Sequence, residues 1–246
     1  MAPNPSIEGT SSSRLRLLEA APHVKRWAAR MLRLGAEMSA FGLLTAISFV
    51  AFADTPPPKA PFDAVTWGAT LKAEPSLGMK MGSFYVRLEK TTLDDVRRAT
   101  SMGDIAHQGD AGESVYWLCY TNVTSAAVER IWIMAHGEMG GPEHSITNIT
   151  AQLLAKGSAT KECPALPRGL TPLSLDHHIW LQDPVSDVLK KLGEPSYEKG
   201  PWRSFDYQGK VPGNCGDEGF DLMNSLLVRA KSGRVQYLYL DRVTSC

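Results

Sequence analysis

The chain lacks the short motifs that would name a chemistry. No G-x-S-x-G, H-E-x-x-H, G-x-G-x-x-G or Walker-type phosphate loop occurs in its 246 residues. It also lacks C-x-x-C: its four cysteines, Cys119, Cys163, Cys215 and Cys246, are widely spaced, which argues against a structural zinc site. Charge of one sign is missing too, with 26 basic against 26 acidic residues. There is thus no basic excess to displace counterions from nucleic acid and no polybasic patch for anionic lipid. No apolar run reaches the roughly 20 residues of a spanning helix. These absences point away from nucleic acid, from a stable membrane span and from a catalytic set, a metal or a cofactor.

One shorter apolar run is present at residues 41–52 (FGLLTAISFVAF), behind Arg30 and Arg33 and ahead of the small residues Ala51 and Ala53. That order of basic, apolar and small residues is the pattern of a secretory signal. Residues 1–53 are therefore read as a signal peptide with an N-terminal extension, Met31 being an alternative start, and the location as periplasmic or secreted. Six of the 26 basic and three of the 26 acidic residues precede Asp54, leaving 20 against 23 in the exported part, a formal charge near −3. An even number of cysteines in an oxidising compartment implies disulfides, for which three connectivities exist.

The exported part opens on a proline-rich arm, residues 54–81, with Pro56, Pro57, Pro58, Pro61 and Pro75. Prolines lack amide donors and favour extended backbone, so order is expected from about Gly82. Residues 84–90 alternate like a strand, and a helix follows from Leu93, capped by a hydroxyl with acids in its first turn. Strands are then predicted over 104–108, 114–121, 128–136 and 145–153, separated by turn-forming stretches. After a connection at 166–172 the same order returns. A helix over 184–192 has Pro184 at its start, an apolar stripe of Val185, Val188, Leu189 and Leu192, and Gly193 at its end. Strands follow at 196–198, 202–208, 220–230 and 234–243, with Ser232-Gly233 as a hairpin turn. The expected class is α+β: two tandem repeats, 82–165 and 166–246, each a short helix or helix pair packed on a four-stranded antiparallel sheet. Cys119 with Cys163 and Cys215 with Cys246 is the favoured pairing, because each bridge then stays inside one half.

The stretch from Leu181 to Tyr207, containing DPVSDVLKKLGEPSYEKGPWRSFDY, resembles the helix, Leu-Gly-x-Pro and aromatic-strand pattern of the superfamily that joins beta-lactamase inhibitor proteins with small outer-membrane assembly lipoproteins. The first half matches loosely, with Ser101-Met102-Gly103-Asp104 in place of Leu-Gly-x-Pro. The resemblance implies protein binding without catalysis, and it carries over no contact residue.

Three polar groupings offer chemistry. His136-Gly-Glu138 with Cys163-Pro164 has half of a zinc-deaminase signature but lacks the second cysteine. His136, Glu138, Glu143 and His144 surround a Gly-Gly-Pro turn and read first as a solvated tip, which could also contact a partner. Asp176-His177-His178 has metal-binding residue types, yet neighbouring side chains on extended backbone point apart. The aromatic residues are the stronger binding candidates: Tyr116, Tyr120, Trp132, Phe205, Tyr207, Tyr237 and Tyr239, joined by Glu138 and Glu143 at the loop. Such side chains join apolar area to a polar tip and dominate protein interfaces. The expected activity is binding of another protein through a concave sheet face, inhibiting or neutralising it. The alternatives are a cell-envelope assembly factor and a metal-dependent hydrolase using the 136–144 loop.

Overall fold

The computed structural model describes residues 55–59, 68–137, 143–215 and 219–246. In chain order the strands and helices are β1 (Gly78–Met81), β2 (Phe84–Arg87), α1 (Leu93–Thr100), β3 (Ala106–Gln108), β4 (Val115–Val123), β5 (Val128–His136), β6 (Asn148–Leu154), β7 (Leu173–Leu175), α2 (Val185–Leu192), β8 (Tyr197–Lys199), β9 (Trp202–Val211), β10 (Phe220–Lys231) and β11 (Arg234–Ser245).

Local sequence accounts for the element ends. The Thr92 hydroxyl accepts from the Asp95 N–H while the Asp95 carboxylate accepts from the Thr92 N–H, a capping box that satisfies two donors at the start of α1. Helix α2 stops at Gly193, whose φ of 88° suits a residue without Cβ. Ser232 and Gly233 both have positive φ, 52° and 74°, as a two-residue hairpin between β10 and β11 requires.

All strand pairing is antiparallel. One sheet has the order β2-β1-β7; the other runs β3-β4-β5-β6-β11-β10-β9-β8. One face of the large sheet carries Leu118, Tyr120, Ile131, Ile133, Phe205, Leu226, Leu238 and Leu240. These pack in a single cluster with Leu93 and Val96 of α1, Val185 and Val188 of α2, and Met79, Met81, Val86, Leu173 and Leu175 of the small sheet.

This architecture corrects the expected α+β class of two helix-on-sheet repeats. The molecule is mostly β, with two α-helices among the described residues, and its strands form an eight-stranded and a three-stranded sheet. Strands β6 and β11, expected at the margins of separate sheets, pair from Gln152 opposite Tyr237 to Asn148 opposite Asp241. That pairing satisfies two edges at once and merges what would have been two cores. Of the small sheet only β2 was foreseen, as the strand over 84–90; the other two strands lie in proline-bearing stretches, β1 at the end of the expected arm and β7 just after Pro172. Order thus begins before Gly82, and Gly78 shows why β1 fits. A Cβ there would lie 2.0 Å from the Val86 carbonyl oxygen of β2.

Both disulfides have the favoured pairing, Cys119–Cys163 with Cα atoms 4.6 Å apart and Cys215–Cys246 with Cα atoms 5.5 Å apart. They fit an oxidising compartment. No helix among the described residues is long and apolar enough to cross a membrane. The expected signal residues lie outside the described residues.

Candidate functional site: the second face of the large sheet

Directly opposed residues in an antiparallel ladder share a face, so the register alone assembles the surface opposite the helices. Three rows cross it. The first reads Thr121, Arg130, Gln152, Tyr237, Arg229, Trp202; the second Cys119, Trp132, Thr150, Tyr239, Leu227, Ser204; the third Trp117, Met134, Asn148, Asp241, Ser225, Asp206.

Over β4 and β5 the chain closes this face itself. Trp117, Cys119, Trp132, Met134 and Cys163 form a second, smaller core, each at most 2 % exposed. The segment around Cys163 reaches it by running along the edge of β4: Thr121 N–H donates to the Pro164 carbonyl and Leu166 N–H to the Thr121 carbonyl. The described part of the arm also lands here, where the Trp132 indole Nε1–H donates to the Thr55 carbonyl at 3.1 Å.

Over β9, β10 and β11 the character changes. Trp202 meets Tyr237 edge to face at 5.4 Å between centroids, and the Arg229 guanidinium lies 5.4 Å from the Trp202 ring and 5.7 Å from the Tyr237 ring. Arg229 and Trp202 are partly exposed, as is Tyr239 in the next row. A cation lying against two rings is attracted by both ring quadrupoles and is pre-positioned for a partner. Tyr237 is buried, its hydroxyl beside the Thr150 side chain but without a hydrogen bond of ordinary geometry, and burial pushes its phenol up to about 12. Burial and the Asp241 charge push Tyr239 up as well. Asp241 itself keeps some exposed surface but is largely surrounded by protein, and desolvation raises its carboxyl to about 6, opposed by the Asn148 amide at 3.5 Å.

Comparison of the chain with protein-family models, curated proteins and solved structures gives no match. The resemblance of residues 181–207 to the inhibitor and lipoprotein superfamily therefore rests on that motif.

The structure divides the aromatic candidates between the two faces. Trp132, Tyr237 and Tyr239 belong to the second face, the first two buried and the third partly exposed. Tyr120 and Phe205 are core residues on the helix side, each fully buried. The Tyr120 hydroxyl lies 3.0 Å from Thr100 Oγ1 and donates to the Met102 carbonyl, and its phenol is pushed up to about 12 by burial. Tyr116 and Tyr207 sit at the rim of that same side, Tyr116 stacked on His107 at 4.1 Å and Tyr207 opposite Asn224. They were grouped with the second-face residues because alternation separates the faces of one strand but does not relate one strand to the next.

Glu138 lies outside the described residues, and Glu143 is exposed. His136 Nδ1 is 2.9 Å from the Thr147 hydroxyl, which ties the imidazole to the side chain just before β6. Asp176 accepts from the Leu77 N–H and the Tyr85 hydroxyl, so it joins the strands of the small sheet. Sequence reasoning missed Trp202, Arg229, Asp241, Asn148 and Asp206 as one surface. The signal that finds them is the strand register, which sequence alone does not supply.

Proposed function

We propose that the chain is an exported protein-binding module that covers a partner with the β9–β11 part of the second face and inhibits it. The observation that carries this reading is the Trp202–Arg229–Tyr237 cluster with Tyr239 beside it, an arrangement of the residue types that dominate binding energy at interfaces. Export is part of the proposal, supported by the apolar run at 41–52 and by two disulfides.

Two measurements test it. Mass spectrometry of the exported protein is expected to find Asp54 at its N-terminus; a retained apolar segment would remove the export argument. Affinity capture from the same fraction is expected to yield one stoichiometric partner, with Trp202→Ala and Tyr239→Ala each weakening its binding by about 1–3 kcal/mol. Wild-type binding by both variants would overturn the assigned face. Capture of outer-membrane assembly machinery would replace inhibition with an envelope role.

A further inference from the structure

The third row of the second face holds two carboxylates without a cation. Asp241 on β11 and Asp206 on β9 flank Ser225 on β10. With strands about 4.8 Å apart, the two backbones are about 10 Å apart. Asp206 is 2 % exposed; its Oδ1 accepts from the Ser204 hydroxyl at 2.8 Å and its Oδ2 is buried with no hydrogen-bond partner. Among the described residues the hydrogen bond to Asp241 is that of the Asn148 amide nitrogen at 3.5 Å, while the Asn148 carbonyl oxygen accepts from Thr150. Among the described residues no salt bridge reaches either carboxylate, and no three His, Cys, Asp or Glu side chains are placed to hold a metal ion. On one side the cations of this face, Arg130, Arg229 and Lys199, stand two rows away, with Tyr239 and Leu227 between; on the other, Lys210, two rows beyond Asp206 on β9, is paired with Asp221. The third row therefore lies beyond an apolar middle from the guanidinium groups, and its two carboxylates have no salt bridge of their own among the described residues.

An unpaired, desolvated carboxylate is costly and is relieved by a charge-assisted donor. We propose that the partner enters this face with a basic side chain, arginine or lysine, seated over Ser225 between Asp241 and Asp206. This rests on the protein-binding reading above and adds the chemistry of the partner's anchor. Ser225 and Asp241 keep partial exposure, which gives that side chain its entry, and the buried Asp206 Oδ2 supplies an acceptor below. The groups facing Asp241 are Asn148 on β6 and Ser225 on β10, neither of which titrates, Tyr239 on its own strand and Asp206 beyond Ser225. Desolvation keeps the Asp241 carboxyl up at about 6, so occupancy by a cation is expected to fall as the pH drops below that value.

The test titrates the full exported chain at pH 7.5 with two blocked dipeptides, N-acetyl-Tyr-Arg-amide and N-acetyl-Tyr-Glu-amide, while nuclear magnetic resonance follows the amides of Asn148, Ser225 and Tyr239. The arginine peptide is expected to shift these signals and the glutamate peptide to leave them in place. Asp241→Asn should weaken the arginine peptide about tenfold, the equivalent of one charge-assisted hydrogen bond. Lowering the pH to 5 should weaken wild type but not Asp241→Asn. Asp206→Asn provides a second variant if Asp241→Asn fails to fold. Equal response to both peptides, no response to either, or full binding by the Asn variants would overturn the proposal. If the peptides fail while Trp202→Ala still weakens partner capture, the basic anchor alone falls. If the peptide binds while capture ignores Trp202→Ala, the interface reading falls instead.

Discussion

At the scale of single residues, Tyr237 and Tyr239 show how two neighbours of one face come to differ. Tyr237 is 3 % exposed and packed against Trp202 and Arg229, whereas Tyr239, two residues on, keeps partial exposure. Tyr237→Ala is therefore expected to cost about 3–5 kcal/mol of stability by leaving a cavity. Tyr239→Ala should cost little stability and act on binding, a difference that denaturant melts of both variants will read. Asp241 gives a pH prediction. Its folded pKa of about 6 lies above the ordinary carboxyl value of 3.8, so the native state holds a proton that the unfolded state has already released between those values. Below about pH 4 both states are protonated and nothing is lost; stability falls as the pH rises towards 6, and the full cost remains above it. Asp241→Asn should accordingly stabilise the protein at pH 7.5 by about 2 kcal/mol, at 1.36 kcal/mol per pKa unit with allowance for partial exposure, and have little effect at pH 4. Equal melting temperatures of wild type and variant at pH 7.5 would refute the desolvation argument.

At the scale of elements, the helices and most strands of the large sheet were legible because each carries its own punctuation. Thr92 with Asp95, Gly193, and Ser232-Gly233 end their elements by local chemistry. Strand β1 was not legible, since Gly78-Met79-Lys80-Met81 has little β-branching and its pairing depends on Val86 across a tight turn and on Leu175, far away in sequence. What fixes the run before β1 is a polar clamp no periodicity reveals. Arg242 on β11 bonds Glu74 through Nε at 2.7 Å and Glu89 through Nη1, while Asn224 on β10 donates to Glu74 at 2.9 Å and Thr244 N–H to Glu89 at 2.6 Å. The clamp lies 15–20 % exposed, which strengthens it relative to a surface pair. Arg242→Leu leaves two carboxylates without their cation and should destabilise by about 2–4 kcal/mol, discounted from the buried-pair range for that exposure. Hydrogen exchange should show β1 and β2 opening first; uniform protection loss across the large sheet would contradict the clamp's local role.

At the scale of the whole molecule, the decisive contact is the one between β6 and β11. The sequence pattern divides the chain into two similar runs of strands, and nothing in alternation or turn chemistry says whether two such sheets stay apart or join. Five opposed residue pairs join them, and behind that seam Ile149 and Ala151 of β6 meet Leu238 and Leu240 of β11 within the same buried cluster. Removing a bridge consequently cannot unfold one half alone. Cys215→Ser with Cys246→Ser opens a 31-residue connection remote from β4, and Cys119→Ser with Cys163→Ser a 44-residue one in the other half. Each is expected to cost about 4 kcal/mol by the chain-entropy estimate. In both double variants, near-ultraviolet signals from Trp117 and Trp132 on one side and Trp202 on the other should be lost in a single transition with one midpoint, because these residues stand on one continuous sheet. Two resolved midpoints, with the half that lost its bridge melting first, would mean that the seam couples the halves too weakly to make them one folding unit, and that the face bearing the proposed site can open independently of the arm and disulfide that close its other end.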